Sequence, residues 1–368
     1  MKEKMLGKRI AAGIAAIMTA ATLCACDDLD EYDDYSEEDT SEQTVASRSE
    51  EVTEALSDRS SESFNGRGSK LNLDSNGGVS ITRLARDNSA PMGDADTWTV
   101  FVYMCGSDLE SENGLAVDDI EEMANAYTGD NVRFVVQTGG STRWNGYDIS
   151  ADSLQRFEVT GGGVYLVDEV SDADMGQEQT LEDFLRWGVQ NYPADKMGVV
   201  FWNHGGGSIT GVCFDEKNEY DSLSLTDLDK AFTSVFDDMT DKFEFVGFDA
   251  CLMATVETAN VLVPHARYMI ASEETEPGRG WDYTEIGRYL DENPGCTGAQ
   301  VGKVAADSFY DSCAASDEEA GATLSVTDLS KIDKLIIAIN NAAASMNGAS
   351  DDSSNLSGMV RSIRNAKN

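Results

Sequence analysis

A chain of 368 residues with a formal net charge of -40 repels polyanions, which argues against nucleic acid or an anionic lipid surface as a partner. The length leaves room for one domain with a substantial core besides any tails. Beyond the first 26 residues the cysteines are Cys105, Cys213, Cys251, Cys296 and Cys313; their odd number and wide spacing exclude a disulfide framework and leave at least one free thiol.

The N-terminal segment carries Lys2, Lys4, Lys8 and Arg9 ahead of the apolar run AAGIAAIMTAATLCA. It is too short to span a bilayer and has no stop-transfer flank, so residues 1–26 read as a signal peptide. The run ends in Leu23-Cys24-Ala25-Cys26, which resembles a bacterial lipoprotein box with Cys26 as the lipidated residue. Two acyl chains suffice for stable anchoring, so the expected location is the bacterial cell envelope, facing away from the cytoplasm, with release to the outside as the other outcome. Membrane contact is expected through the lipid alone. Residues 27–42, DDLDEYDDYSEEDTSE, are acidic at ten of sixteen positions and cannot bury enough to fold. With the Ser- and Glu-rich sequence that follows, 27–95 reads as an acidic disordered tether, and 96–368 as the folded domain.

From Thr97 the pattern alternates short apolar runs with helical ones. TWTVFVYMC (97–105) reads as a strand, GLAVDDIEEMANAY (114–127) as a helix, and NVRFVVQTGG (131–140) as a strand stopping at a glycine pair. LQRFEVTGGGVYLVDEV (154–170) reads as a hairpin across three glycines. Thr180 with Asp183 approximates a capping box at the head of TLEDFLRWGVQNY, which Pro193 closes. The apolar strand MGVVFW then runs into Asn203, His204 and three glycines. LSLTDLDKAFTSVF (223–236) reads as a helix starting near Thr226, FEFVGFDAC as a strand, LMATVETANVLV as a helix and ARYMIASEE (266–274) as a further strand. Near-continuous apolar strands alternating with helices predict an α/β three-layer sandwich, with a mostly parallel central sheet flanked by helices.

Parallel sheets gather chemistry at the carboxyl ends of their strands. His204 closes one predicted strand and Cys251 another; His265, the other histidine, reads as a cap or surface residue. A thiol needs a base or a positive field to attack, and His204 together with the helix expected directly after Cys251 would supply both. The glycines after His204 free the backbone to turn an N–H toward an oxyanion, with the Cys251 N–H as a second donor. The alternative reading makes Cys251 a buried filler and the glycines a tight turn. No C-x-x-C pair, P-loop, dinucleotide fingerprint or G-x-S-x-G elbow occurs in the sequence, so zinc, nucleotide and serine-hydrolase chemistry lack their signatures.

Four blocks in order, TVFVYMCGSDLE, TLEDFLRWGVQNYPADKMGVVFWNHGGG, VGFDACLMATVE and ASEETEPGRGWDY, are similar to the clostripain family of cysteine peptidases, which shares the caspase-like fold. The resemblance implies that His204 and Cys251 form a dyad, that the backbone at Gly205 and Cys251 builds the oxyanion hole, and that substrates are proteins or peptides with Arg or Lys before the cleaved bond. Asp249, carried by the motif, is the expected acid of the substrate pocket. The loop ASEETEPGRGWDY offers Glu273, Glu274, Glu276 and Asp282, of which Asp282 is taken as the second pocket acid. The resemblance also implies a two-chain form made by internal cleavage. Lys217 is the one Lys or Arg between Lys196 and Lys230, in a polar segment where nicking is tolerated, and is the expected processing site. The chemistry requires no cofactor; a structural Ca2+ ion is compatible with the reading, but the sequence shows no site for it. A monomer is expected. Two other functions stay open: a catalytically idle lipoprotein that keeps the fold for binding, and acyl transfer or ligation at the same thiol, since transfer and hydrolysis share one thioester.

Overall fold

The computed structural model describes residues 68–73, 78–85, 89–316 and 321–350, with 358, 361 and 362. The signal peptide and Cys26 lie outside the described residues, as does most of the expected tether. Two short strands, β1 (Ser69–Leu73) and β2 (Val79–Arg83), pair with each other inside the stretch read as tether. The side chains of β2 alternate between half-buried and exposed, the period-2 pattern of a one-sided strand, while β1 is buried at Ser69 and exposed at Asn72 and Leu73. Arg83 donates to Ser69 Oγ at 2.6 Å and to the Asn260 carbonyl at 2.9 Å.

The chain divides into two compact units. Among the described residues, the smaller takes in 70–82 and the chain from Asp333, with most of α9 (Ile332–Ser350). The larger, 83–332 with Ser69 and Gly68, is built on an eight-stranded sheet. Its strands are β3 (Trp98–Cys105), β4 (Val132–Gly139), β5 (Ser153–Thr160), β6 (Gly163–Ser171), β7 (Lys196–Trp202), β10 (Phe243–Asp249), β11 (Ala266–Ala271) and β12 (Ser325–Asp328). Their order is β12-β11-β10-β7-β3-β4-β5-β6. The central five, from β11 to β4, run parallel, while β12 on one edge and β5 and β6 on the other are antiparallel additions. This is the caspase-like sandwich that the sequence pattern and the resemblance imply.

The central strands are legible because both of their faces are covered. Every residue of β3 is buried, as is every residue of β10, so the apolar runs have no polar alternation. On one face Val100, Val102, Met104, Phe134, Val136 and Phe245 pack beneath α2 (Leu115–Asn125), α7 (Tyr283–Glu292) and α8 (Gly298–Ala314). On the other face Phe201 stacks on Phe248 at 5.3 Å, and Phe101, Phe184 and Phe243 meet edge to face. That second layer is roofed by α3 (Glu178–Asn191), α5 (Leu225–Ser234) and α6 (Val256–Leu262). Each fully buried aromatic of this kind contributes about 1.5–3 kcal/mol relative to exposure, so the sheet is a rigid base for whatever its strand ends carry.

Three helix starts differ from the sequence reading. α3 begins at Glu178, and Thr180 turns its hydroxyl back to the Asp174 carbonyl at 2.7 Å rather than capping forward. α5 begins at Leu225, because Ser224, with its oxygen and its N–H both exchanging with Asp227, makes the complete capping box two residues earlier than Thr226. α6 begins only at Val256, capped by Thr255. The helix expected directly after Cys251 is therefore displaced by a turn. Leu252 adopts φ 64° there, and its N–H donates to the Glu274 carbonyl at 3.0 Å.

Candidate active site

The parallel register sets the site. Trp202, the last residue of β7, pairs with Asp249, the last of β10. The Asn203 N–H continues the ladder by donating to the Asp249 carbonyl at 3.3 Å. Both chains run on together, which brings Gly205 against Cys251, with His204 the residue just before it on the neighbouring strand end. The approach at Gly205 is tight enough to require glycine: a Cβ there would overlap the Cys251 carbonyl oxygen and sit 3.1 Å from the Cys251 nitrogen. Gly205 also bridges to Val212 of β8 (Val212–Asp215), but the bonds of that bridge come from the His204 carbonyl and the Gly206 N–H. The N–H of Gly205 is not spent on it.

Asn203 locks the strand end from inside, its amide donating to the Cys105 carbonyl at 2.8 Å and its carbonyl accepting from the Phe214 N–H at 2.7 Å. The His204 ring points outward, and its Nε2 meets Asp108 Oδ1 at 3.0 Å. Asp108 lies at the start of α1 (Ser107–Asn113), just beyond the end of β3. Burial raises its carboxyl, but hydrogen bonds from His204 and Ser107 outweigh that and leave it below its ordinary value. With Nε2–H donating to Asp108, Nδ1 is the nitrogen free to accept a proton. Asp108 was not singled out in the sequence; its one signal was its place just past the strand end of YMCGSDLE.

Cys251 is half-buried, and the Glu276 N–H reaches its sulfur at 3.2 Å. The displaced α6 leaves no helix N-terminus directly behind the thiol, so the positive field expected there is replaced by this backbone donor. Cys105, Cys213, Cys296 and Cys313 are buried, and all five described cysteines are free thiols. Burial pushes the Cys105 thiol well above its ordinary value, with its neighbour Cys213 adding to the effect, which makes Cys105 an inert core group.

Asp249 is buried on the α2 and α7 side of the sheet, accepting from the Trp281 N–H at 3.2 Å and the Tyr283 hydroxyl at 2.9 Å. Burial nevertheless raises its carboxyl to about 6. Asp119, which accepts from the Trp202 indole at 2.5 Å, is pushed well up by burial and then by the charge of Asp249. Glu122, beside them on α2, is raised to about 7, chiefly by burial. Glu276 is raised well above its ordinary value by burial and then by Asp249. Asp282 caps α7 through the Glu285 N–H at 2.9 Å and lines a groove of about 440 Å3 with Asp118, Asp119, Glu122 and Trp281. Gly280 separates that groove from Asp249: a Cβ there would lie 3.1 Å from the Asp249 oxygens.

Lys217 sits in the connection between β8 and β9 (Asp221–Leu223). It is tied down more firmly than a polar loop tip suggests, its N–H donating to Asp215 Oδ1 at 2.8 Å and its ammonium pairing with Asp172 at 2.6 Å. His265 differs from its expectation as a cap or surface residue. It is buried, stacks on Phe232 at 5.6 Å and faces Asp229 at 3.5 Å. Among the described residues no group of three or more His, Cys, Asp or Glu is arranged to hold a metal ion.

A caspase-like sandwich with a thiol and an imidazole on adjoining central strand ends defines the class. The clostripain family model, peptidase family C11, matches residues 102–366, and the chain belongs to that family. Clostripain of Hathewaya histolytica is 28% identical over 221 residues, covering 50% of this chain and 40% of the relative, so the match spans less than half of that protein. A secreted C11 cysteine protease from Bacteroides thetaiotaomicron, "iotapain", superposes with a TM-score of 0.53 at 22% identity over 67% of this chain and 69% of its own. An inactive zymogen C11 protease from Parabacteroides distasonis gives 0.50 at 21% identity over 67% and 65%. These two likenesses establish the fold.

Proposed function

We propose that the chain is a cysteine endopeptidase that cleaves proteins or peptides after arginine or lysine. The observation that supports this reading is the register of β7 and β10, which ends the two strands side by side and packs Gly205, the residue after His204, against Cys251. In the proposed reaction His204 takes the thiol proton, and the thiolate attacks the carbonyl carbon of the scissile bond. The N–H groups of Gly205 and Cys251 receive the oxyanion. Collapse of the tetrahedral intermediate expels the amine, which leaves with the proton from His204, and a thioester remains on Cys251. Water, deprotonated by His204, hydrolyses the thioester and returns the thiol. No cofactor enters these steps. Asp108 orients the imidazole, and Asp249 gives the substrate pocket its negative charge, with Asp282 as an acid of the neighbouring groove.

Cleavage after Lys217 would make a two-chain form, with Asn218 as the new N-terminus. The ion pair to Asp172 must open first, since the same side chain has to enter the enzyme's own pocket. Anchoring at Cys26 would hold the peptidase on the outer side of the cell envelope as a monomer; the secreted relative from Bacteroides thetaiotaomicron supports a site of action outside the cytoplasm. A peptide panel varied at the residue before the cleaved bond, run on the full chain beside Cys251→Ala, tests the reading. Cleavage confined to Arg and Lys peptides and absent from the variant is the expected result. Turnover by Cys251→Ala removes the nucleophile, and equal rates after Arg and Ala remove the acidic pocket.

A further inference from the structure

Glu276 is placed as no other acid of its loop is. Its backbone N–H touches the Cys251 sulfur at 3.2 Å, while both of its carboxylate oxygens are buried and make no hydrogen bond of good geometry, with the Asp249 carboxylate and the Trp281 indole as the polar groups that interact with them. Glu273 and Glu274 are exposed, and the Asp282 carboxylate is occupied as a helix cap. A carboxylate removed from water without a donor is strongly disfavoured. The missing donor marks a place for a ligand.

The surroundings define that ligand. Asp249 lies alongside and acts on Glu276 electrostatically, as does the Cys251 thiol, and the buried Trp281 indole, the one donor facing Glu276, makes no hydrogen bond of good geometry. Tyr283 from α7 and Asp119 from α2 face Asp249, and Glu122 stands behind Asp119. Two adjoining buried carboxylates beside a nucleophile call for a cation with several donors. We infer that Glu276 is the second carboxylate of the pocket that receives the basic side chain before the cleaved bond, and that it sets a preference for arginine over lysine. This rests on the peptidase reading above. A guanidinium presents a planar fork that donates to two carboxylates at once, whereas an ammonium is a point charge that Asp249 serves alone. Burial raises both carboxyls, that of Asp249 to about 6, so a cation that binds between them favours their ionised forms, and its binding tightens as pH rises through the range near 6 where Asp249 titrates.

The experiment measures kcat/KM on three peptides that differ only before the cleaved bond, carrying arginine, lysine or the neutral isostere citrulline, for the full chain and for Glu276→Gln. The expected loss in the variant is about ten- to hundredfold on arginine and clearly smaller on lysine, with the rate of Cys251 alkylation by iodoacetamide unchanged. Agmatine, a small guanidinium probe, should inhibit the unaltered chain and release a proton on binding, measured by calorimetry in buffers of different ionisation heat. Glu276→Asp, which keeps the charge on a shorter stem, should weaken agmatine several-fold and serves if the Gln variant does not fold. Equal rates on arginine and citrulline in the unaltered chain would overturn the basic-residue reading itself. Retained arginine selectivity with an unchanged arginine-to-lysine ratio in Glu276→Gln, or agmatine binding without proton release, would overturn the role of Glu276 and leave that reading standing.

Discussion

The chain has two histidines, and they sit at opposite ends of the same sheet. His204 follows the carboxyl end of β7, with a side chain 41% exposed and Asp108, itself 32% exposed, as its partner. His265 precedes the amino end of β11, with a side chain 2% exposed, packed on Phe232 and facing a buried Asp229. Each is a histidine beside an aspartate, yet the first pair can reach a substrate and the second cannot. Parallel strands give the sheet a reactive end and a structural end, and residue type alone does not tell them apart.

Breaking the two ends should have opposite signatures. His204→Ala and Cys251→Ala are expected to lower turnover by at least about a thousandfold with no more than a small change in unfolding midpoint, measured on peptides and by thermal melts. His265→Ala should do the reverse, costing about 2–4 kcal/mol of stability as a buried ring is removed while each folded molecule keeps its activity. Should His265→Ala lose activity without losing stability, the division of the sheet into two ends fails.

Asp249 belongs to the reactive end but is buried like the structural one, so Asp249→Asn should show both signatures in part. Cleavage after Arg or Lys is expected to fall about ten- to hundredfold, equivalent to roughly 1.5–3 kcal/mol. Stability should respond to pH in a definite direction. The folded carboxyl titrates near 6, above its ordinary value of 3.8, so between those values the folded state binds the extra proton. Stability from this group is present below the lower value and is lost as pH rises to the upper one, by roughly 1–3 kcal/mol in all. Urea titrations at pH 4 and 7 should show a larger loss in the unaltered chain than in Asp249→Asn, in which Asp119, Glu122 and Glu276 still contribute the remainder.

A half-exposed partner has less to give than a buried one. Asp108→Asn should reduce kcat about tenfold and leave KM unchanged, because the imidazole loses its orientation and not its contact with substrate. The smallest effect concerns Lys217, whose pair with Asp172 restrains it. Asp172→Asn should speed internal cleavage about two- to fivefold, as expected for an exposed ion pair, with Cys251→Ala uncut. Intact-mass analysis over time checks this; a chain that stays whole while fully active would remove Lys217 as a processing site.

The parts that the sequence displayed and the parts it hid differ for one physical reason. Strands such as β3 and β10 were visible because burial on both faces leaves no polar residue in the run. β12, half-buried at an edge, and the short β8 and β9 carry no such pattern. The His204 and Cys251 ends stood out because each is followed by a break in an apolar strand. Asp108 did not, and Glu276 was one of four candidate acids on its loop with nothing to single it out, because carboxylates among 67 acidic residues carry no signal until the fold shows which of them has lost its water. Buried His265 was misread for the converse reason: Pro264 before it suggested a surface turn, and only the aromatic layer over it decides otherwise.

The residues around Cys251 come from four separated stretches, near 108, 204, 250 and 276. None of them is near its partners in an extended chain; they meet only when β7 has docked between β3 and β10 and the loop after β11 has closed over the thiol. A chain that is still unfolded therefore carries no hydrolytic hazard for the compartment that makes it. Assembly of the sheet is itself the safety catch, and the loop with Glu276 is among the pieces it must bring to the thiol.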